Sequence, residues 1–493
     1  AQLRVKREKF SQLSPLEIKA HIKECLIGSN DYRPKQLEAI ASLEAGYNTL
    51  AIFGTGRGKS AVFQTRSAFL ALTQRRVSII VYPLRALVND QYLTLKSKFA
   101  PLGLTVYKGT GSLEREERLE FFTQLKEGQI DIVLTTPEFL SCNREKFGLI
   151  RDKLGLLVID ECHHLVSRRS GYKQLPQTIS YLGNPRVLAV TATANDEVSE
   201  QIIRKLGIEK LIIDKHVREN LQLIDSRFCN DKIGYIKKLL TTGERIVVYV
   251  NSRKVAYSLA ADLRRDMPFY KECIGYYHGG LSSEDRLGVE YLFREGGLQL
   301  IVTTSAFGEG IDIPDIQNVV IYHLSFSTSE YNQLAGRAGR NGQPAKIHLI
   351  YGKKDKDLNE LILAGLAPNR EQMGKFYLML KKIAEKNHPI TFSNKEIAEW
   401  AKVYKIPGVM DKTVSHWLGI LDDLNLIEKE VNGNKRLIWM NFNAKKVDLK
   451  DSIRYVEGMD ENSLYEEFLS LAYLKDPRPL EEIIKRPTYP LKY

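Results

Sequence analysis

Seven consecutive residues, Gly54-Thr55-Gly56-Arg57-Gly58-Lys59-Ser60, have the types and spacing of a loop that holds phosphate. Glycines let backbone N–H groups close around an anion, and a following helix N-terminus adds a favourable dipole. In such a loop Lys59 reaches the β- and γ-phosphates of a nucleotide and Ser60 is a ligand for Mg²⁺. The strict pattern asks for glycine where this chain has Phe53. A tight strand-to-helix turn is the plainer alternative. A second feature weighs against it. The run "LLVIDECHH" sets Asp160 and Glu161 at the end of an apolar segment. Two carboxylates there are costly unless they meet a metal or line a cleft. Asp160 can hold Mg²⁺ through water, and Glu161 can polarise an attacking water. Helix capping by the Asp-Glu pair is the plainer reading of these two.

Both features need strands whose ends share one edge. "TLAIF", "RVSIIVYP", "DIVLTTP", "LGLLVIDE" and "RVLAVTAT" are strand-like and nearly continuous in apolar residues. That pattern predicts strands buried on both faces, hence a parallel sheet covered by helices. Strand C-termini then surround the ligand crevice. The rhythm restarts after "DKHVRENLQL" with "RIVVYV", "CIGYYHGG", "LQLIVTTS", "NVVIYHL" and "AKIHLIYG". Residues 1–215 and 216–352 therefore read as two α/β domains. Beyond residue 353 the spacing is helical, and Asn432-Gly433-Asn434 marks a hairpin. Three helices and a hairpin predict a winged-helix domain within residues 353–445. Residues 446–493 read as a tail with one helix near "SLYEEFLSLAYL", then an extended stretch broken by Pro477, Pro479, Pro487 and Pro490.

A chain of 493 residues suggests roughly three domains. Its net charge of +12 favours a polyanionic partner, nucleic acid first. Cys25, Cys142, Cys162, Cys229 and Cys273 are scattered, with no metal-ligand spacing. They suit a reducing cytoplasm and neither a disulfide framework nor a zinc site. No run of about 18 apolar residues marks a membrane span, so no membrane partner is expected.

In order along the chain, the motifs resemble those of superfamily 2 helicases. "YRPKQLEAI" resembles the adenine-reading motif of the RecQ family, and "GTGRGKS" resembles motif I, where that family tolerates a residue such as Phe53. "YPLRALVNDQ" resembles motif Ia, "TTPE" the next strand-contacting motif, "DECH" motif II and "TATA" motif III. "NSR", "YYHGGL", "VTTSAFGEGIDIPD" and "QLAGRAGR" resemble the motifs of the second half. The resemblance implies two tandem RecA-like domains, ATP and Mg²⁺ as cofactors, and a 3′-to-5′ motor on single-stranded or forked DNA in repair or recombination.

By position, the resemblance assigns Gln36 to adenine, with Tyr32 or Arg33 packed on the base. Gln333, Arg337 and Arg340 would reach the γ-phosphate across the cleft, and Asp312 would touch the ribose or help couple the domains. Pro83, Arg85, Thr136, Arg253, His278 and Thr303 are candidates for the nucleic-acid track. His163, Thr191, Thr193, Arg168 and Arg169 are candidates for coupling hydrolysis to it. Residue spacing adds Lys412, Ser415, His416, Lys435 and Arg436 as candidate DNA-facing groups of the winged helix, with Val414, Leu418 and Leu421 facing its core; a protein-docking or purely structural module is the plainer alternative, since Asp422 and Asp423 are unfriendly to phosphate.

Departures narrow the resemblance. The loop after motif II, "LVSRRSGYKQLP", has only Tyr172 where RecQ proteins carry several aromatics. No cysteine follows Cys273, so the four-cysteine zinc module usual in that family is not expected. "PLRAL" and "QLAGRAGR" are also similar to Ski2-like helicases. Rival readings are a translocase that does not unwind, a motor acting on RNA, and a winged-helix regulator with a degenerate motor. The intact Lys59, Asp160, Glu161, Arg337 and Arg340 weigh against the last. The ends, a basic "AQLRVKREKF" and "KRPTYPLKY", suggest junctions with a larger protein or a docked nuclease or repair partner.

Overall fold

β1 (Thr49–Phe53) and β2 (Val77–Val81) are buried at every position, which requires cover on both faces of their sheet. A computed structural model, describing residues 10, 12–166, 170–307, 316–432 and 435–492, shows that cover. β3 (Val106–Gly109), β4 (Ile132–Thr135), β5 (Leu154–Ile159), β6 (Val187–Thr191) and β7 (Lys210–Asp214) complete a seven-stranded sheet of order β3-β4-β2-β5-β6-β1-β7. All its pairings are parallel. Alternate residues feed two separate cores. Ala51, Phe53, Ile80 and Val158 enter one, and Leu50, Ile52, Ile79 and Ile159 the other.

The second sheet repeats this plan. β8 (Leu221–Asp225), β9 (Ile246–Tyr249), β10 (Ile274–Tyr277), β11 (Leu300–Thr303), β12 (Asn318–Ile321) and β13 (Ala345–Leu349) lie parallel in the order β10-β11-β9-β12-β13-β8. The ten strands expected from apolar runs are present. β3, β7 and β8 are additions, and each lies at the end of its sheet. The half-exposed positions of β3, β7 and β8 explain why no apolar run announced them.

Helices Arg370–Ala384, Asn394–Val403 and Asp411–Asp423 precede an antiparallel hairpin of β14 (Ile427–Asn432) and β15 (Lys435–Met440). They share one core, in which Val414, Leu418 and Leu421 are fully buried. Trp417 also lies there, edge-on to Phe376 at 5.2 Å, with its indole N–H donating to the Gly365 carbonyl at 2.9 Å.

The C-terminal segment departs from expectation. Its helix spans Ile453–Ala472, and a second helix, Arg478–Lys485, lies where an extended tail was expected. Pro479 is tolerated because it sits in the first turn. The long helix crosses from one motor domain to the other. Ile453 packs on the first domain's core, while Tyr465, Phe468 and Ala472 belong to the second's. Leu480 and Ile484 extend that second core, and Tyr331 donates its hydroxyl to the Leu480 carbonyl. The chain then returns to the first domain, where Thr488 N–H donates to Ala192 O at 2.9 Å and Ala194 N–H to Thr488 O at 2.7 Å. Among the described residues, no helix is long and apolar enough to cross a membrane.

All three tryptophans, Trp400, Trp417 and Trp439, lie in the hairpin module, so tryptophan fluorescence reports on it alone. Phe376→Ala removes a fully buried ring and is expected to cost that module about 3–5 kcal/mol. Urea unfolding followed by tryptophan emission measures it, and an unchanged midpoint would contradict the packing.

Candidate functional site

The strand edge that sequence spacing demanded is present. β1 leads into the phosphate loop, and the helix Lys59–Gln74 leaves it. Gly56 and Gly58 hold φ near +73° and +74°, a conformation that favours glycine. A side chain at 56 would also press on Arg218 Nη1 and the Gly336 carbonyl, 3.1 and 3.3 Å from a Cβ. The loop is braced from behind. Gln36 Nε2 donates to the carbonyls of Arg57 (3.2 Å) and Gly58 (2.9 Å), and its Oε1 accepts from Arg33 N–H at 2.7 Å. Arg33 Nη1 donates to Gly56 O at 3.1 Å. Both ends of the Gln36 amide are thus engaged by the chain. Arg57 turns from the loop to Asp214, 2.7 Å from its Nε. Tyr32 shares a hydrogen bond of 2.7 Å with Thr65.

Lys59 Nζ lies 2.9 Å from Glu161 Oε1, and both are nearly buried. Burial opposes the Lys59 charge, but Glu161 and Asp160 more than offset it and raise its pKa. Burial likewise opposes the Glu161 charge, yet Lys59 and His163 hold the carboxyl well below the usual range. Asp160 is different: burial pushes it up to about 6. Glu161 has φ +46°, an uncommon conformation for a non-glycine residue. That turn aims its carboxylate at Lys59. Tyr172, in the helix Ser170–Tyr181, donates its hydroxyl to Asp160 O at 3.2 Å.

The expected coupling groups converge on the same carboxylate. Register sets Thr191 beside Ile52 of β1. Thr191 Oγ1 donates to Glu161 Oε2 at 3.4 Å and lies 2.9 Å from His163 Nδ1. Thr193 Oγ1 is 3.3 Å from that nitrogen. Arg168 and Arg169 lie outside the described residues, as does Asp312.

Gln333, Arg337 and Arg340 line the same cleft as Lys59, Ser60, Asp160 and Glu161, a space of about 1940 Å³. The domains meet closely there, with Gly336 packed against Thr55 and Gly56. Arg218, in the link between domains, was not foreseen. Its guanidinium donates to the carbonyls of Gly336 (3.3 Å) and Ala338. Burial, then Arg33 and Arg57, lowers its pKa to about 10. No motif in the sequence marks it. Among the described residues, no group of three or more His, Cys, Asp or Glu could hold a metal alone. Ser60 and Asp160 on the cleft wall fit Mg²⁺, which keeps waters and shares a substrate's phosphates.

The track candidates are less open. Arg85, at the start of the helix Arg85–Phe99, lies 3.3 Å from Glu461 and 3.9 Å from Glu457. Thr136 Oγ1 donates to Glu457 Oε1 at 2.7 Å. Arg85 and Thr136 therefore face the chain's own helix Ile453–Ala472. Pro83 is buried, and Thr303 is buried with its hydroxyl donating to Thr304 O at 2.8 Å. Arg253 begins the helix Arg253–Asp266 beside Gly280, whose N–H donates to His278 Nδ1 at 3.2 Å. In the hairpin module, two expected DNA-facing groups turn inward. His416 Nε2 meets Leu366 O at 2.8 Å, and Arg436 donates to Asn394 Oδ1 at 2.7 Å and Phe392 O at 3.2 Å. Lys412 and Ser415 are exposed, and the Lys435 side chain is outside the described residues.

Two parallel-sheet domains closed over a phosphate loop define a nucleotide-driven motor. The DEAD/DEAH box helicase profile matches residues 33–202, and the helicase conserved C-terminal domain profile matches residues 231–342. The chain is 29% identical over 370 residues to the probable ATP-dependent DNA helicase RecS of Bacillus subtilis, covering 73% of this chain and 72% of that protein. It is 29% identical over 350 residues to ATP-dependent DNA helicase Q-like 2 of Arabidopsis thaliana, covering 67% and 48%. It is 31% identical over 353 residues to ATP-dependent DNA helicase hus2/rqh1 of Schizosaccharomyces pombe, covering 68% and 26%. The chain thus carries a DEAD/DEAH box helicase domain followed by a helicase C-terminal domain, and it is similar to ATP-dependent DNA helicases of the RecQ type. It spans about half or less of the last two relatives' length.

Gln36→Ala removes three hydrogen bonds, two of which hold the phosphate loop. Titration with a fluorescent ATP analogue is expected to show about tenfold weaker binding. Unchanged affinity would show that the bracing is idle.

Proposed function

We propose that this chain is an ATP-dependent 3′-to-5′ DNA helicase or translocase acting in DNA repair or recombination. The observation that carries the reading is the Lys59–Glu161 pair, set in one cleft with Arg337 and Arg340 of the opposite domain. Incoming phosphates compete for Lys59, and the released Glu161 carboxylate is free to orient water. Thr191 and His163 hold that carboxylate in place. Arg337 and Arg340 supply positive charge from the second domain, so turnover depends on domain closure. Mg²⁺, held through Ser60 and Asp160, neutralises phosphate charge when bound. No zinc belongs to this reading, because no cysteine follows Cys273.

Closure and opening of two domains that each grip a strand by its phosphates would move the chain along it. Asp312 would touch the ribose or help couple the domains, and Arg168 and Arg169 would help couple strand binding to hydrolysis. DNA is preferred over RNA because the curated relatives RecS, Q-like 2 and hus2/rqh1 carry DNA helicase names. The cellular site would be the cytoplasm, and a nuclease or repair protein would be the partner. A second reading, translocation without unwinding, is favoured by one observation. The hairpin module is docked on the first domain, through Lys429 with Glu114 and Arg118 with Asp423 at 3.5 Å.

Release of a labelled strand from a forked duplex separates the two readings. Unwinding supports a helicase; displacement of bound protein without unwinding supports the translocase. Lys59→Ala is expected to abolish turnover, and Glu161→Gln to keep ATP binding while lowering turnover by about a thousandfold. Near-normal turnover in either variant would refute the site. The pH profile is a further check. Asp160 must be ionised to hold a cation, so kcat/KM for ATP is expected to fall as pH drops through about 6. A profile flat to pH 5 would contradict the raised Asp160.

A further inference from the structure

Three loops of the first domain aim donors at one point. The Gly111 N–H, beyond β3, donates to Glu457 Oε1 at 2.9 Å. Thr136 Oγ1, beyond β4, donates to the same oxygen at 2.7 Å. The Arg85 guanidinium closes the point, 3.9 Å from Glu457 Oε2 and 3.3 Å from Glu461 Oε1. A backbone amide, a hydroxyl and a guanidinium together make a donor set suited to phosphodiester oxygens.

The carboxylate in this seat fits it incompletely. Glu457 is only 3% exposed, yet its Oε2 has no hydrogen-bond donor. Burial raises its pKa in spite of Arg85. A buried carboxylate oxygen without a hydrogen bond is a cost that a purpose-built anchor avoids. Nor does docking of the module need this contact. Arg118 with Asp423 and Lys429 with Glu114 already fasten it beside the seat, and Arg454 with Glu114 holds the start of the helix. The helix also closes the space completely: a Cβ on Gly111 would meet Glu457 Oε2 at 2.7 Å and Arg454 N at 2.9 Å.

We propose that the helix Ile453–Ala472 is an internal competitor of the nucleic-acid strand. Glu457, supported by Glu461, occupies the place of a strand phosphate on Gly111, Thr136 and Arg85. A strand phosphate enters only when the first half of the helix withdraws. This rests on the nucleic-acid motor reading above. The far end of the same helix packs Phe468 on Tyr331, ring centroids 5.7 Å apart. Tyr331 lies in the helix Thr328–Ala335, which leads directly to Arg337 of the nucleotide cleft. Strand entry at one end is therefore mechanically linked to the cleft wall at the other.

The test titrates fluorescent oligo(dT) with the full chain, with Glu457→Ala/Glu461→Ala, and with that pair combined with Arg85→Ala. A competitor lowers apparent affinity by the fraction of seats it fills. Its removal is expected to tighten binding about tenfold, and Arg85→Ala to abolish the gain. Hydrogen exchange on the unaltered chain gives an independent measure that needs no variant to fold. Amides of residues 453–461 are expected to exchange faster when oligo(dT) is added. If the unaltered chain and the double variant bind equally, and those amides do not change, the competition is refuted while the motor reading stands. If neither binds oligo(dT) and turnover is not stimulated, the motor reading fails and the proposal falls with it.

Discussion

The contact between Lys59 and Glu161 is an ion pair of 2.9 Å with little access to solvent. Two charges in such a place are tolerable only because each neutralises the other. The pair joins the loop after β1 to the end of β5, so it requires both strands to finish on the same edge. The parallel sheet provides that edge, and the left-handed turn at Glu161 provides the aim. Thr191 and His163 then fix the second carboxylate oxygen from β6 and the segment after β5. Remove the ion pair and these supporting contacts lose their purpose.

The second domain and the C-terminal segment are arranged around this pair. Gly336 lies against Thr55 and Gly56, and Arg218 ties the link between domains to the same turn. The last residues run along Ala192 and Ala194, next to Thr191 and Thr193. Pro487 sits 3.1 Å from the position of a Cβ on Gly54. The chain's end is thus packed on both the phosphate loop and the strand that positions Glu161. The helix Arg478–Lys485, just before it, is anchored in the second domain's core. A change in the angle between domains must pass through this strap.

What the sequence disclosed followed from contiguity. The phosphate loop, Asp160-Glu161 and the buried strands are each a few adjacent residues with a distinctive pattern. The end strands β3, β7 and β8 escaped because Tyr107, Lys108, Lys210 and Gln222 break the apolar runs. The first half of the long helix was hidden for a different reason. Arg454, Glu457, Gly458 and Asp460 are its buried positions, so polar residues occupy the face where periodicity looks for apolar ones. Arg218 and the Asp214–Arg57 pair depend on contacts across the fold, which no local pattern encodes. The inward turns of Arg436 and His416 depend likewise on Asn394 and Leu366.

The link between the Lys59–Glu161 cleft and the strand-facing wall is tested most directly by phosphate release from ATP with and without oligo(dT). Because Thr191 and His163 converge on Glu161 and the second domain lines the same cleft, oligo(dT) is expected to raise turnover at least about tenfold. The same low turnover with and without oligo(dT), in a chain shown to bind both ATP and oligo(dT), would contradict it.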